Sequence, residues 1–547
     1  MKNRRFIILL ALCGFTSITY SQNISKDSLI QDIRQLSKIL ETSHPDPYIK
    51  GGGKIAYQMR FHKLMTSIPD SGMTKSEFQK LLIPFVAAVG DGHTRIHVSY
   101  EKDEKQPGGI PLLFKISEKS LYVAGVTNPK DEYLLGSLLL SIENIPFKEI
   151  YARVTNLRGV DNEYGGLTLL EGKNYLWYKE QLHHLIPEWY NKNSIDVKLR
   201  LPGGEEKKIT LNTTLQTDGQ LITPATNINL PSLQKCDFNY CFLNNYPKAA
   251  ILKINGMRGY RENFELVGLE NEYQLSGAKS YYQRFNDRIA PENKTEIIQG
   301  LPSATETFKA LVSEMKKTGA EILIIDLREN GGGNSVLGQI LIYCLFGKDA
   351  LIKTLSDKTG YEIKKFSKLY FEQNQNETLK NINEKNPVVL KDDDYWFEEL
   401  YENEVEKNPA AVYSEFDDFY KKMPSFYAEY KTNTYSKYYC PSKIFVLCSP
   451  QTYSSGFTMM KTLNELGAAL IGAPSSQGGN NAGWILNYKL DNTGLKGWVA
   501  CKYYSSFSDK IKNGVYLPDF MLTYDKLSKN NFDPNAEINY VLEIIGK

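Results

Sequence analysis

From about residue 247 the chain alternates between short apolar runs and amphipathic stretches, and this alternation limits the fold more than any other feature of the sequence. "KAAILKINGM" reads as a strand and "SATETFKALVSEMKKTG" as a helix. "AEILIIDLREN" then reads as a buried strand, "GGGN" as a loop, and "SVLGQILIYCLFG" as a helix. The pattern resumes at "SKIFVLCS", followed by the helical "FTMMKTLNEL" and a stop at Gly467. Strands separated by helices cannot pair as hairpins; they pair in parallel, in an α/β domain. That domain is expected over residues 240–547, with a Tyr-rich insertion of weak periodicity at about 350–440.

The 547 residues exceed what one core accommodates, so further domains must precede it. "SKDSLIQDIRQLSKILETSHPDPY" spaces Leu29, Ile30, Ile33, Leu36, Ile39 and Leu40 at helical intervals. "TKSEFQKLLIPFVAAVG" is a second helix, with a capping box from Thr74 and Glu77 and a stop at Gly90. Residues 24–105 are therefore expected to form a helical cap ending at the "DGHT" turn. Residues 106–215 read as a mixed module, with strands in "GGIPLLFKI" and "SLYVAGV", a helix near 174–191, and a hairpin turning at Gly203-Gly204.

The first residues, "MKNRRFIILLALCGFTSITYSQ", combine basic residues, an apolar run and small residues before Gln22, the pattern of a signal peptide over 1–21. Cys13 follows Leu12, too large for the usual lipid-attachment motif, so cleavage after Ser21 is expected in preference to a lipid anchor. No later run is long and apolar enough to span a membrane. The expected location is periplasmic or extracellular. A net charge of +2 gives no electrostatic reason to expect nucleic acid. Six cysteines follow the signal; Cys236 and Cys241 are close enough in sequence to pair, and none forms a zinc-like cluster with histidine, so no metal or cofactor is expected.

Three stretches carry chemistry. In "LCSPQTYSSGFTMMKTLNELG", Ser454 and Ser455 lie where a strand turns into a helix; a hydroxyl there is exposed, and the helix N-terminus favours developing negative charge. A serine at that position is most often only an N-cap. In "LIIDLRENGGGN", Gly331, Gly332 and Gly333 end a buried strand, and glycines let backbone N–H groups approach a ligand as an oxyanion hole requires. The Lys-Ser/Thr of a phosphate loop is missing after them. In "VGDGHTRIHV", His93 occupies a constrained Gly-rich turn and is the best placed of six histidines to act as a base.

Together with "HPDPY", "LGSLLLSIENIPFKEI" and "GVYLPD", these stretches resemble the serine peptidase family of C-terminal processing (tail-specific) proteases, the tricorn core protease and the repeats of interphotoreceptor retinoid-binding protein. The resemblance implies a ClpP/crotonase-like α/β core with an N-terminal helical cap and a PDZ-like α+β module. It implies Ser454 as nucleophile, with Ser455 second, and an oxyanion hole from Gly331 or Gly332 and the N–H of Ser455. Where tail-specific proteases carry a lysine base, this chain has Gly478 or Gly479, so the tricorn-like histidine base, His93, is the match. The glutamate expected before "GV…PD" is missing, which leaves Asp509 or Asp519 to orient the histidine. The implied substrate is a peptide or unfolded protein. The competing expectation is a non-catalytic peptide- or glycan-binding protein on the same scaffold, with Tyr395, Trp396, Tyr413, Tyr420, Tyr427 and Tyr430 as its surface or as ordinary core aromatics.

Overall fold

The computed structural model describes residues 23–97, 108–189, 192–213, 221–356, 360–375, 377–384, 388–400, 408–432, 439–506 and 508–546. The signal peptide expected at 1–21 and the end of the cap lie outside them.

The alternating half of the chain folds as mixed α/β around one six-stranded sheet. Its spatial order is Phe520–Met521, Ala469–Gly472, Lys443–Cys448, Ile322–Asp326, Tyr246–Ile254 and Phe238–Leu243. All neighbouring pairs are parallel except the last, where Phe238–Leu243 runs antiparallel at the edge. Ile322–Asp326 lies between two parallel neighbours, which is why it is a continuous apolar run. Helices Ala304–Thr318, Val336–Ser356 and Ser455–Glu465 cover one face, with Phe308, Leu311, Val312, Leu337, Ile340, Leu341 and Leu463 wholly buried. Gly467 takes φ +97°, the left-handed stop expected after the serine helix.

The Tyr-rich segment joins this core. Helices Pro409–Tyr420 and Pro424–Thr432 bury Tyr420, Phe426 and Tyr430 completely, with Tyr343 and Tyr420 ringed by aromatic neighbours. Tyr413 and Tyr427 are packed against the same core. Only Tyr395, at 48 % exposure, remains a large open aromatic of the six, and its hydroxyl donates to the Pro45 carbonyl.

Three N-terminal helices, Lys26–Ser43, Gly53–Thr66 and Lys75–Ala87, pack through Leu29, Ile33, Leu36, Leu40, Phe78 and Leu82. Thr74 and Glu77 form the expected capping box. These helices rest on a second sheet, in which Lys496–Ser506 pairs antiparallel with Asn481–Lys489, Gly360–Lys365 and the short Arg95–Ile96. The mixed module is a separate antiparallel sheet, in order Leu112–Ser117, Ser120–Val126, Leu138–Ile142, Ser194–Arg200 and Glu206–Asn212. Its last hairpin turns at Gly204 in the left-handed region, as the sequence suggested. The six cysteines among the described residues are free thiols; Cys241 Sγ faces the Asn229 carbonyl and forms no bridge to Cys236.

Candidate active site

In a parallel sheet, ligands bind beyond the carboxyl ends of the strands. Here the ends of three adjacent strands converge. Ile322–Asp326 leads into the glycine loop, Lys443–Cys448 into the serine turn, and Ala469–Gly472 into the segment carrying Gln477. The first two loops are stitched together. Tyr453 N–H donates to the Asn330 carbonyl at 2.9 Å, Thr452 Oγ1 to the Leu327 carbonyl at 2.8 Å, and Ser449 Oγ to the Arg328 carbonyl at 2.5 Å.

Ser454 caps helix Ser455–Glu465 with φ 53° and ψ −126°. A non-glycine residue in so sparse a region costs about 1–3 kcal/mol, and it persists only where its surroundings enforce it. The enforcing contact is Gln477, whose Oε1 accepts the Ser454 N–H at 2.5 Å. Unlike an ordinary N-cap, Ser454 makes no side-chain cap bond to the helix. Its neighbour differs: Ser455 is buried, and its hydroxyl donates to the Gly333 carbonyl at 2.8 Å and pairs with Ser335 Oγ at 2.9 Å. One serine hydroxyl is a lock between helix and loop, and the other makes no hydrogen bond among the described residues.

The glycine loop presses on that turn. Gly332 has φ +93°, and a Cβ there would stand 2.8 Å from Ser454 Cβ and 2.7 Å from the Tyr453 carbonyl. Its N–H, however, donates to Asn330 Oδ1 at 2.8 Å and is spent. Gly331 faces open space, and among the described residues no hydrogen bond takes its N–H or that of Ser455. Of the two glycines proposed as oxyanion donors, Gly331 is therefore the one with a free N–H.

His93 reaches the site from the cap. Its turn is fixed by Asp91, which accepts the His93 N–H at 2.8 Å and the Thr94 hydroxyl at 2.5 Å. Thr94 Oγ1 in turn accepts the Ala500 N–H. The imidazole stacks on Tyr453, ring centroids 4.9 Å apart, with Nδ1 3.2 Å from the Tyr453 hydroxyl and 3.7 Å from Asp91 Oδ1. The Tyr453 hydroxyl donates to Asp161 Oδ2 at 2.6 Å. Among the described residues no hydrogen bond joins His93 to Ser454.

Charge in this cluster is unevenly shared. Burial would raise Asp91, but the His44 and His93 rings beside it, at 3.3 and 3.7 Å, hold it well below the usual carboxylate range. Burial and the Asp91 charge push Asp161 up. Burial pulls His93 down, but Asp91 and then Asp161 outweigh it, and the net shift is upward. Asp91, His93 and Asp161 offer ligand atoms within 4.8 Å of one another, a spacing a cation could bridge. Each of these carboxylates already accepts protein donors, Asp91 from Thr94 and the His93 N–H and Asp161 from Tyr453 and the Gly92 N–H, so the cluster is satisfied without a cation.

Neither acid suggested by the sequence lies here. Asp519 accepts from the Leu470 N–H and Asn464 and pairs with Lys510, at the far end of the serine helix. Asp509 is exposed in a turn. The carboxylates beside His93 are Asp91 and Asp161. Lys461, further along the serine helix, pairs with Glu465. Sequence reasoning missed Asp91, Asp161, Tyr453 and Gln477. The aromatic immediately before Ser454 was a visible signal; nothing in the sequence linked Asp161, in the module, to a turn nearly three hundred residues away.

Residues 284–521, less than half of the chain, match the model of peptidase family S41. No curated protein matches the sequence. Among solved structures, mature CPAF is 14% identical with TM-score 0.52, over 93% of this chain and 96% of that one. Mature CPAF complexed with lactacystin is 14% identical with TM-score 0.53, over 95% and 98%. The photosystem II D1 C-terminal processing protease is 11% identical with TM-score 0.37, over 91% and 94%. At this identity the likeness to CPAF is one of fold, over nearly the whole described chain.

Proposed function

We propose that this serine peptidase, similar to family S41 over its catalytic half, cleaves extracytoplasmic peptides or protein C-termini with Ser454 as nucleophile and His93 as base. One observation carries the reading: a serine held in a strained backbone conformation, its hydroxyl and two neighbouring N–H groups at the end of a buried strand all without a hydrogen-bond partner among the described residues. Ser454 Oγ attacks the scissile carbonyl carbon and its proton passes to His93. The oxyanion is received by the N–H groups of Gly331 and Ser455. Collapse breaks the C–N bond, His93 returns the proton to the leaving amine, and water repeats the sequence to release the acid. Asp91 and the Tyr453–Asp161 pair orient the ring as positioning residues.

The His93–Ser454 contact forms as substrate binds, since catalytic hydrogen bonds are often open in the free enzyme. The unformed contact also lends support to a non-catalytic peptide-binding role. Steady-state cleavage of a peptide library by Ser454→Ala, His93→Ala and the double variant separates the two. Each single change should abolish turnover, and the double should be little worse, because the pair acts as a unit. Retained turnover in His93→Ala would remove it as the base. Export from the cytoplasm is proposed from residues 1–21 and would show as loss of that segment from the mature protein.

A further inference from the structure

A cavity of about 500 Å³ opens between the cap and the mixed module, lined by Arg95, Arg158, Trp498 and His97 among others. Its lining holds two guanidinium groups and no carboxylate. Among the described residues Arg95 and Arg158 have no hydrogen-bonded or ion-paired side-chain partner, and the buried Arg95 Nε is unsatisfied. The Arg95 guanidinium lies 4.0 Å over the Trp498 ring, which orients the fork without neutralising it. Two unneutralised cations facing one cavity repel each other and are partly desolvated, an arrangement that a folded chain pays for unless an anion relieves it. Burial, and then the Arg158 charge, lower Arg95 to about 10.

The cavity adjoins a second one at the edge of the candidate site. A second space of about 360 Å³ shares Arg158, Gly159, Leu169 and Asn174 with it and extends to Gly331, Tyr453 and Asp161, whose carboxylate is taken by the Tyr453 hydroxyl and the Gly92 N–H. Arg158 is held at this junction because Gly159 abuts the His93 turn: a Cβ there would meet the Asp91 carbonyl at 2.8 Å. We propose that Arg95 and Arg158 form a carboxylate-recognising subsite of the substrate groove, engaging an acidic side chain or the C-terminal carboxylate of the bound peptide. Planar guanidinium forks match a carboxylate bidentately, so the subsite selects charge and geometry together. The inference rests on the peptidase reading for what occupies the groove, but not for whether an anion binds.

The test is therefore a binding measurement on the Ser454→Ala chain, which needs no turnover. Fluorescein-labelled, otherwise uncharged octapeptides are titrated by anisotropy. One set replaces Gln by Glu at each position in turn, and each is made with a free or an amidated C-terminus. At least one carboxylate should tighten binding about tenfold, as a charge-assisted bond predicts. Dependence on a Glu position identifies a side chain; dependence on the free terminus identifies the chain end. Arg95→Gln and Arg158→Gln should each reduce the preference toward one, and Arg158→Lys should restore part of it. Melting temperatures establish that the variants are folded. Equal binding of all peptides, or a preference that survives in both folded Gln variants, overturns the subsite. Absence of cleavage by the wild-type enzyme with the carboxylate preference intact would instead count against the peptidase reading alone.

Discussion

The two halves of the candidate site are built by different physics. The serine half is made of backbone: two strand ends stitched by main-chain carbonyls, a strained φ at Ser454, and a glycine with no room for a Cβ. The histidine half is made of titratable side chains, with His44, Asp91, His93, Tyr453 and Asp161 in one cluster. The first should be insensitive to pH and intolerant of added atoms. The second should tolerate isosteric change in shape yet respond to every change in charge.

The largest effects are expected on the serine half. Gly332→Ala places a methyl within 2.8 Å of Ser454 Cβ at a φ that disfavours any side chain, and should destabilise by about 2 kcal/mol or more while eliminating turnover. Chemical denaturation with a kcat measurement checks both. Ser454→Gly should also eliminate turnover, but it relieves the strained conformation and should stabilise by about 1 kcal/mol, readable as a raised melting temperature. A Ser454→Gly protein less stable than Ser454→Ala would break the contrast, because it would mean the serine backbone is not under strain.

On the histidine half the effects are set by charge. A neutral His93 is required as base, and its pKa is raised, so kcat/KM should climb with pH through an apparent value above about 6.5. In Asp91→Asn the larger upward pull is lost and that of Asp161 is left against burial, so the midpoint should move to lower pH, while the plateau falls by about a hundredfold or more from lost orientation. Stability follows by linkage. The His93 contribution is fully present below about pH 6.5 and is lost as pH rises through its elevated folded pKa. The Asp91 contribution is present above about pH 3.9 and is lost as pH falls through its depressed folded pKa. Melting curves of wild type and Asp91→Asn across that range should converge at the acid end. A midpoint unmoved by Asp91→Asn would show that another group controls the ring.

The smallest expected effect lies away from both halves. Thr74→Ala removes a capping box on a cap helix and should cost about 1 kcal/mol with kcat/KM nearly unchanged. Its melting curve calibrates how much of any larger loss elsewhere is merely structural.

The same contrast governs what could be read from sequence. Backbone devices leave local marks: an apolar run, then Gly-Gly-Gly or Ser-Ser, then helical spacing. The serine turn, the glycine loop and the two strands that lead into them were legible for that reason. The Gly331–Gly332 choice was not, because it depends on the Asn330 side chain occupying one N–H. The charged cluster is assembled by tertiary packing across the cap, the module and the core, so the acid was sought near Asp509 and Asp519 when the structure gathers Asp91 and Asp161. The Tyr-rich segment hid its role for a related reason: its helices bury faces against Val336–Ser356, a partner that no local period reveals.

The central claim is that Ser454, and not its neighbour, carries the reactive hydroxyl. Treating the wild-type protein with a serine-reactive phosphonate and mapping the adduct by peptide mass spectrometry tests it most directly. The account predicts one adduct, on Ser454, present in Ser455→Ala and slowed by acidification through the His93 titration. An adduct on Ser455, or peptide cleavage with no adduct on Ser454, would contradict it.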